Sequence, residues 1–395
     1  MTKHLPPYLA LLIIAGCGGE PGDWSHVEED VSDSFHVATW SDADYEATDM
    51  RFLPDGRALL LTKGGWQGEG TGKVELLNAD GSRVGTILHV DVCADAERGL
   101  LGVEIDPRFD ETGRIFLFYT RQMSGCAVAE IGEQNPAAPV FNRVSSFIFD
   151  DLAIDPNSEV VVLDDLPAHQ SSHNAGGLQF MPDGTLLVAT GEARLGLARD
   201  LDSATGKLLR VDVDDPSKAP GDNPFAPADG WRALVFAFGL RNPFRIATSS
   251  VDGLTAAADV GTDEYEEINI VASGGDYGFP DVEGPGSDDG SIRPALWYRH
   301  VNGCNAVIGG DFVPRALLAD RTSTDVDAWL TFSDVGCPAI WAAGIRDGEV
   351  VVLLRLTDPL DHSLSHLVLG PDDAIYLVGI GPEPQPVLRL SSISG

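Results

Sequence analysis

The sequence predicts an all-β protein and, within that class, a propeller of short sheets set radially around an axis. Three observations carry this reading. A turn-plus-strand phrase recurs along the chain, no long stretch shows a 3.6-residue apolar period, and 44 Gly and 25 Pro are spread through 395 residues. Many short strands joined by tight turns leave that pattern. With 43 % hydrophobic and 22 % charged residues, the chain has enough apolar surface for a packed core, which argues against wholesale disorder.

The phrase itself has a mechanism. Leu53-Pro54-Asp55-Gly56 runs into Ala58–Thr62, and Met181-Pro182-Asp183-Gly184 runs into Leu186–Thr190. Asp106-Pro107 leads through Gly113 to Ile115–Tyr119, and Gly370-Pro371-Asp372-Asp373 leads to Ile375–Val378. Asp252-Gly253 and Asp347-Gly348 are weaker echoes. Pro and Asp preset a type I turn and Gly accepts the positive φ that follows, so each phrase reads as a hairpin. One phrase repeated so widely fits radial sheets better than a sandwich. The irregular spacing leaves room for surface excursions at Ala127–Asn142 and Pro280–Asp289.

The N-terminus reads as a targeting segment. Lys3 and His4 precede an apolar run from Tyr8 to Ile14, well short of the ~20 residues a membrane span needs. Ile14-Ala15-Gly16-Cys17 resembles the bacterial lipoprotein signal, which implies cleavage before Cys17, its acylation, and anchoring on the periplasmic or outer surface. The expected organisation is a signal over 1–16, a flexible tether over 17–35 and one domain over 36–395.

Export places the other cysteines in an oxidising compartment. Cys93, Cys126, Cys304 and Cys337 allow three connectivities, and the sequence-local pairs Cys93–Cys126 and Cys304–Cys337 are the expectation. With no CxxC or Cys/His cluster, the chain lacks the pattern of a zinc site. The formal charge of −35 repels nucleic acid and anionic headgroups, so membrane contact is expected through the lipid alone.

Several segments, in order, resemble the soluble glucose/sorbosone dehydrogenase family. They are Glu97-Arg98-Gly99-Leu100-Leu101-Gly102, His173-Asn174-Ala175-Gly176-Gly177-Leu178 with Thr190-Gly191-Glu192, and Gly206-Lys207-Leu208-Leu209-Arg210. Gly239-Leu240-Arg241-Asn242-Pro243-Phe244 and Glu266-Glu267-Ile268-Asn269 complete the series. The resemblance implies a six-bladed β-propeller that oxidises a sugar-type alcohol by hydride transfer to pyrroloquinoline quinone (PQQ), with bound calcium. It implies His173 as catalytic base, Arg241 and Asn242 at the cofactor, and Glu97 and Glu192 at the mouth of the site. Electrons would pass on to an acceptor that the sequence does not name.

The bare residues agree with parts of this. Alcohol oxidation needs a base for the O–H proton, and imidazole titrates near working pH. A carboxylate-bearing quinone needs cations, and a guanidinium offers a planar fork. Gly261 and Thr262 match the segment whose backbone carbonyls hold the family's calcium, a hard cation suited to oxygen donors. Val260 and Thr262 depart from the usual residues there. Some members bring a lysine and arginines to the cofactor from late blades. No lysine follows Lys218 here, so that charge would fall to Arg293, Arg299, Arg346 or Arg355. The region around Ile308–Phe312 and Ser333–Cys337 resembles hedgehog-interacting-protein-like propellers, some of which bind without redox activity. A binding propeller and a calcium-dependent lactonase are therefore the alternatives.

Overall fold

The computed structural model describes residues 24–393, except 27, 67, 123–125, 127–139, 169–170, 287–289 and 382. The signal segment, Cys17 and most of the Ala127–Asn142 excursion therefore lie outside the described residues. No described helix is long and apolar enough to cross a membrane.

The chain is all-β, with its sheets arranged as in a propeller. Its first described strands, β1 (Glu28–Asp30) and β2 (Phe35–Tyr45), join the last sheet. Four antiparallel four-stranded sheets follow in sequence. Sheet one is β3 (Ala47–Phe52), β4 (Ala58–Thr62), β5 (Glu69–Leu77) and β6 (Arg83–Cys93). Sheet two is β7 (Leu100–Ile105), β8 (Arg114–Thr120), β9 (Phe141–Asp150) and β10 (Ala153–Pro167). Sheet three is β11 (Ala175–Phe180), β12 (Leu186–Thr190), β13 (Lys207–Val211) and β14 (Val235–Phe238). Sheet four is β15 (Pro243–Thr248), β16 (Thr255–Asp259), β17 (Tyr265–Ile270) and β18 (Leu296–Arg299).

The remaining strands form one nine-stranded sheet. They are β19 (Val307–Val313), β20 (Ala328–Asp334), β21 (Trp341–Arg346), β22 (Glu349–Arg355), β23 (Leu364–Leu369), β24 (Ile375–Gly379) and β25 (Gln385–Ser392), with β1 beside β22 and β2 beside β25. Hydrogen bonding thus makes five sheets, not six separate ones. The reason is local: β19 and β23 approach closely enough to pair in parallel at Gly310 and Leu367, which fuses two four-stranded units. A Cβ on Gly310 would stand 2.6 Å from that of Leu367, so only glycine permits the approach.

The strands β3, β7, β11, β15, β19 and β23 touch in a closed ring, each against the next. Ring closure is chemical as well as spatial, since β2 pairs antiparallel with β25 from Phe35↔Ser392 onward. Second strands such as β12, β16 and β24 are buried along their whole length between neighbouring sheets. The outer β10 is largely exposed, with buried positions at Ile154, Val162, Leu163 and Leu166. That gradient accounts for the unbroken apolar runs in the sequence. The inner strands also carry an ionic network. Asp49 accepts from His366 at 2.6 Å, and Arg51 donates to Glu104 at 3.1 Å and lies 3.9 Å from Asp311.

The turn phrases do what their chemistry predicts. Gly56 and Gly184 donate back to Leu53 and Met181, and Asp55 and Asp183 accept from the N–H two residues on. Asp347-Gly348 is the exception, because it turns β21 into β22 rather than a first strand into a second. Both expected disulfides form, with Cα atoms 5.7 Å apart in Cys93–Cys126 and 4.8 Å apart in Cys304–Cys337. Residues 24–35 are not a free tether. Trp24 stacks on Tyr298 at 4.4 Å and β1 pairs with β22, because the indole and the strand edge find apolar and backbone partners there. Asn142, expected in a loop, lies buried in β9.

Candidate functional site

In an antiparallel sheet the start of the first strand lies opposite the end of the second. Here the pairs are Ala47↔Thr62, Leu100↔Tyr119, Ala175↔Thr190 and Pro243↔Asp259. Segments that enter β7, β11 and β15 therefore emerge at the same end of the ring as segments that leave β4, β12 and β16. The first set carries Glu97, His173 and Arg241-Asn242. The second carries Lys63, Glu192 and Gly261-Thr262.

His173 is buried and sits in the left-handed region at φ 58°. Ala175, Ala193 and Arg194 share that conformation, a concentration of backbone strain typical of functional segments. The His173 ring meets Glu192 through Nδ1···Oε1 at 2.6 Å. Burial opposes charge on Glu192, but hydrogen bonds from His173 and from the Gly196 and Arg194 backbone outweigh it and hold the carboxyl below its ordinary range. An ionised Glu192 accepts from Nδ1–H, which leaves the Nε2 lone pair free as a base.

Glu97 organises the other side. Its Oε2 accepts the backbone N–H of His173 at 2.7 Å and of Asn174 at 3.3 Å, and lies 3.5 Å from Asn242 Nδ2. Asn242 Oδ1 in turn accepts Ala175 N–H at 3.0 Å. Gly191 makes this possible, since a Cβ there would lie 1.9 Å from the His173 carbonyl oxygen and 2.9 Å from Asn242 Oδ1. The Arg241 and Asn242 amides both donate to Asp259, at 2.9 Å and 2.6 Å. Burial nevertheless pushes the Asp259 carboxyl up to about 6.

Four expected residues thus form one hydrogen-bonded cluster: Glu97, His173, Glu192 and Asn242. Arg241 joins it through its backbone, whose carbonyl accepts Glu192 N–H at 2.8 Å, while its Nη1 donates to the Val260 carbonyl at 2.8 Å. Gly261 and Thr262 lie on the same end of the ring. Their N–H groups donate to Glu266 at 3.3 Å and Glu283 at 2.8 Å, and their carbonyl oxygens accept nothing among the described residues. Val260 packs against the core between sheets four and five instead of offering a polar group.

Residues 45–297 match the family described as glucose/sorbosone dehydrogenase. The chain belongs to that family. Among curated relatives, the HIPL2 protein of Arabidopsis thaliana is 29 % identical over 316 residues, covering 64 % of this chain and 44 % of that protein. Aldose sugar dehydrogenase YliI of Escherichia coli is 33 % identical over 240 residues, covering 58 % of each. The chain spans about half the length of the curated relatives it matches. The PQQ-bound form of an aldose sugar dehydrogenase from Streptomyces coelicolor superposes with a TM-score of 0.67 at 17 % identity, over 90 % of this chain and 98 % of that one. At that identity the likeness is one of fold.

Within this family member, three of the four late arginines are engaged by other partners. Arg299 donates to Tyr265 OH at 2.6 Å, Arg346 to the Asp325 carbonyl at 3.4 Å, and Arg355 to Asp30; Arg293 is exposed. Residue-type reasoning missed the cations that do lie beside the site. Arg194 reaches back to Ser172 Oγ at 2.7 Å, and Lys63 packs against Gly99. The available signal was positional: Thr62-Lys63 and Thr190-Gly191-Glu192 both leave the second strand of their sheets. The Cys304, Asp334 and Cys337 grouping is a disulfide beside a carboxylate, so its sulfurs are not free to hold a metal.

Proposed function

We propose that this chain is a PQQ-dependent dehydrogenase of an aldose or related sugar, built as a six-bladed propeller. Counting the nine-stranded sheet as two units on β19 and β23 gives six blades around the ring of inner strands. The observation that carries the functional reading is the buried His173–Glu192 pair, with Nδ1 committed and Nε2 left as a base. His173 takes the proton of the sugar hydroxyl at Nε2, and Glu192 holds the ring and offsets the positive charge it gains. Glu97 keeps the His173 backbone and Asn242 in register with one another.

The residues fit an anionic quinone and a hard cation. Among the described residues, Lys63, Arg194 and Arg241 have no carboxylate within 4.0 Å, in a chain of charge −35. Arg241 commits Nη1 to Val260 and keeps further donors, and Asn242 Nδ2 has only its 3.5 Å contact. These two would hold PQQ, and the Gly261 and Thr262 carbonyls would hold calcium. When bound, PQQ supplies the two-electron acceptor for hydride and calcium its polarisation. Export and a lipid anchor at Cys17 complete the proposal, and the two disulfides suit an oxidising compartment.

A second reading, a binding propeller without turnover, draws on the Arg241 guanidinium resting on the chain's own Val260 carbonyl. Dye reduction with an aldose separates the two. It appears only after PQQ and calcium are added if the dehydrogenase reading holds, and a protein that binds PQQ in calorimetry but reduces no dye across an aldose panel removes it. Replacing Cys17 with Ser releases the protein from membranes if the anchor is correct.

A further inference from the structure

Lys63 leaves β4 at the end of the ring that carries His173, and it is 2 % exposed. Its backbone carbonyl accepts Leu100 N–H at 3.0 Å, and its side chain packs so tightly on Gly99 that an added Cβ there would lie 2.8 Å from Lys63 Cγ. The root of the side chain therefore lies directly behind the Glu97–Gly99 segment. Nζ donates to the Gly65 carbonyl at 2.9 Å and lies 4.5 Å from the centre of the Trp66 ring. No carboxylate stands within 4.0 Å of it among the described residues; those whose field reaches it are Asp95, Glu46 and Glu97. Burial outweighs their attraction and pushes the ammonium down to about 8. The Trp66 Nε1–H beside it is also buried without a partner.

The Trp66 donor thus lacks an acceptor and the Lys63 ammonium, bonded only to a neutral carbonyl, lacks a close carboxylate, in a protein with 61 acidic side chains from which to supply one. A buried ammonium without a counter-ion is costly, and a well-placed carboxylate relieves that cost. Two glycines, Gly64 and Gly65 at φ 105° and 123°, precede Trp66, and nothing packs within 4 Å of where a Gly65 Cβ would stand.

We propose that Lys63 and Trp66 form an anion subsite of the His173 site, which receives a carboxylate of the bound ligand once Trp66 moves aside. The subsite rests on the dehydrogenase reading only for its location. The carboxylate has two possible sources, the quinone cofactor or an acidic sugar such as a uronate, and the chemistry at Lys63 is the same for both.

The test is calorimetric titration of PQQ, and separately of glucuronate with neutral glucose as control, into the full chain and its Lys63→Met and Lys63→Arg variants. Far-UV circular dichroism checks that each is folded. At least one carboxylate probe binds the wild type and weakens about tenfold or more in Lys63→Met, while Lys63→Arg retains affinity. Wild-type affinity falls as pH rises through about 8, and that fall is absent in Lys63→Arg. The difference in tryptophan fluorescence between wild type and Trp66→Phe changes on binding. PQQ binding that Lys63→Met leaves untouched, with no glucuronate binding, overturns the subsite and spares the dehydrogenase. Glucuronate binding through Lys63 without PQQ binding does the reverse. Failure of both probes overturns both.

Discussion

Glu192 and Asp334 occupy comparable places and have opposite fates. Each is a buried carboxylate where the second strand of a ring unit ends, after β12 and at the end of β20. Glu192 binds an imidazole ring that can exchange a proton. Asp334 accepts the Tyr298 hydroxyl at 2.8 Å and backbone N–H groups of Asn305, Ala306, Gly336 and Cys337 at 2.8 to 3.2 Å. The four backbone donors do not titrate, burial raises the Tyr298 hydroxyl well above its ordinary value, and the Cys304–Cys337 disulfide closes the same loops. Position in the propeller delivers a carboxylate to the rim. What differs is the partner set, an imidazole for Glu192 and mostly backbone amides for Asp334.

This contrast can be broken by mutation. The largest effect is expected for His173→Ala, which lowers PQQ-supported dye reduction on the order of 10³-fold while leaving the thermal midpoint near wild type. Asp334→Ala should behave oppositely: about 3 kcal/mol less stable by urea unfolding, because five donors lose a buried acceptor, with kcat of the folded fraction retained. A loss of turnover at full stability there would erase the distinction. Glu192→Gln should cost roughly 10- to 100-fold in kcat with little change in KM, since the amide holds the ring without offsetting its charge.

The smallest effect sharpens the electrostatic side. Glu267, buried beside Asp259, has its carboxyl pushed up to about 8. The folded protein keeps a proton that the unfolded chain sheds near ~4.3, so stability falls as pH climbs from there toward about 8. Glu267→Gln should therefore raise the thermal midpoint by roughly 4 °C at pH 8 and leave it unchanged at pH 4. Equal gains at both values would place the effect in packing rather than charge.

Much of the fold was legible because its rules are local. The Pro-Asp-Gly turns at Leu53–Gly56 and Met181–Gly184 and the apolar second strands each follow from neighbouring residues alone. The cysteine pairs were readable too, since each joins segments only 33 residues apart. Of the site, His173, Glu97, Glu192 and Asn242 were identifiable by resemblance. Their joint geometry was not, because one Glu97 oxygen serves residues 76 and 145 positions away. The tether reading stopped at Trp24, whose partners Tyr298 and Trp341 come from the far end of the chain.

Residue order alone was enough to settle that this chain folds as β-sheet and where most of its turns fall. Those properties rest on interactions within a few residues or within one strand. Only the closed ring decided that Lys63 packs behind Gly99, that β19 fuses to β23 through Gly310, and that Arg299, Arg346 and Arg355 are occupied elsewhere. Each of those depends on which distant segments are brought within a few ångströms, and on whether a buried charge then finds a partner.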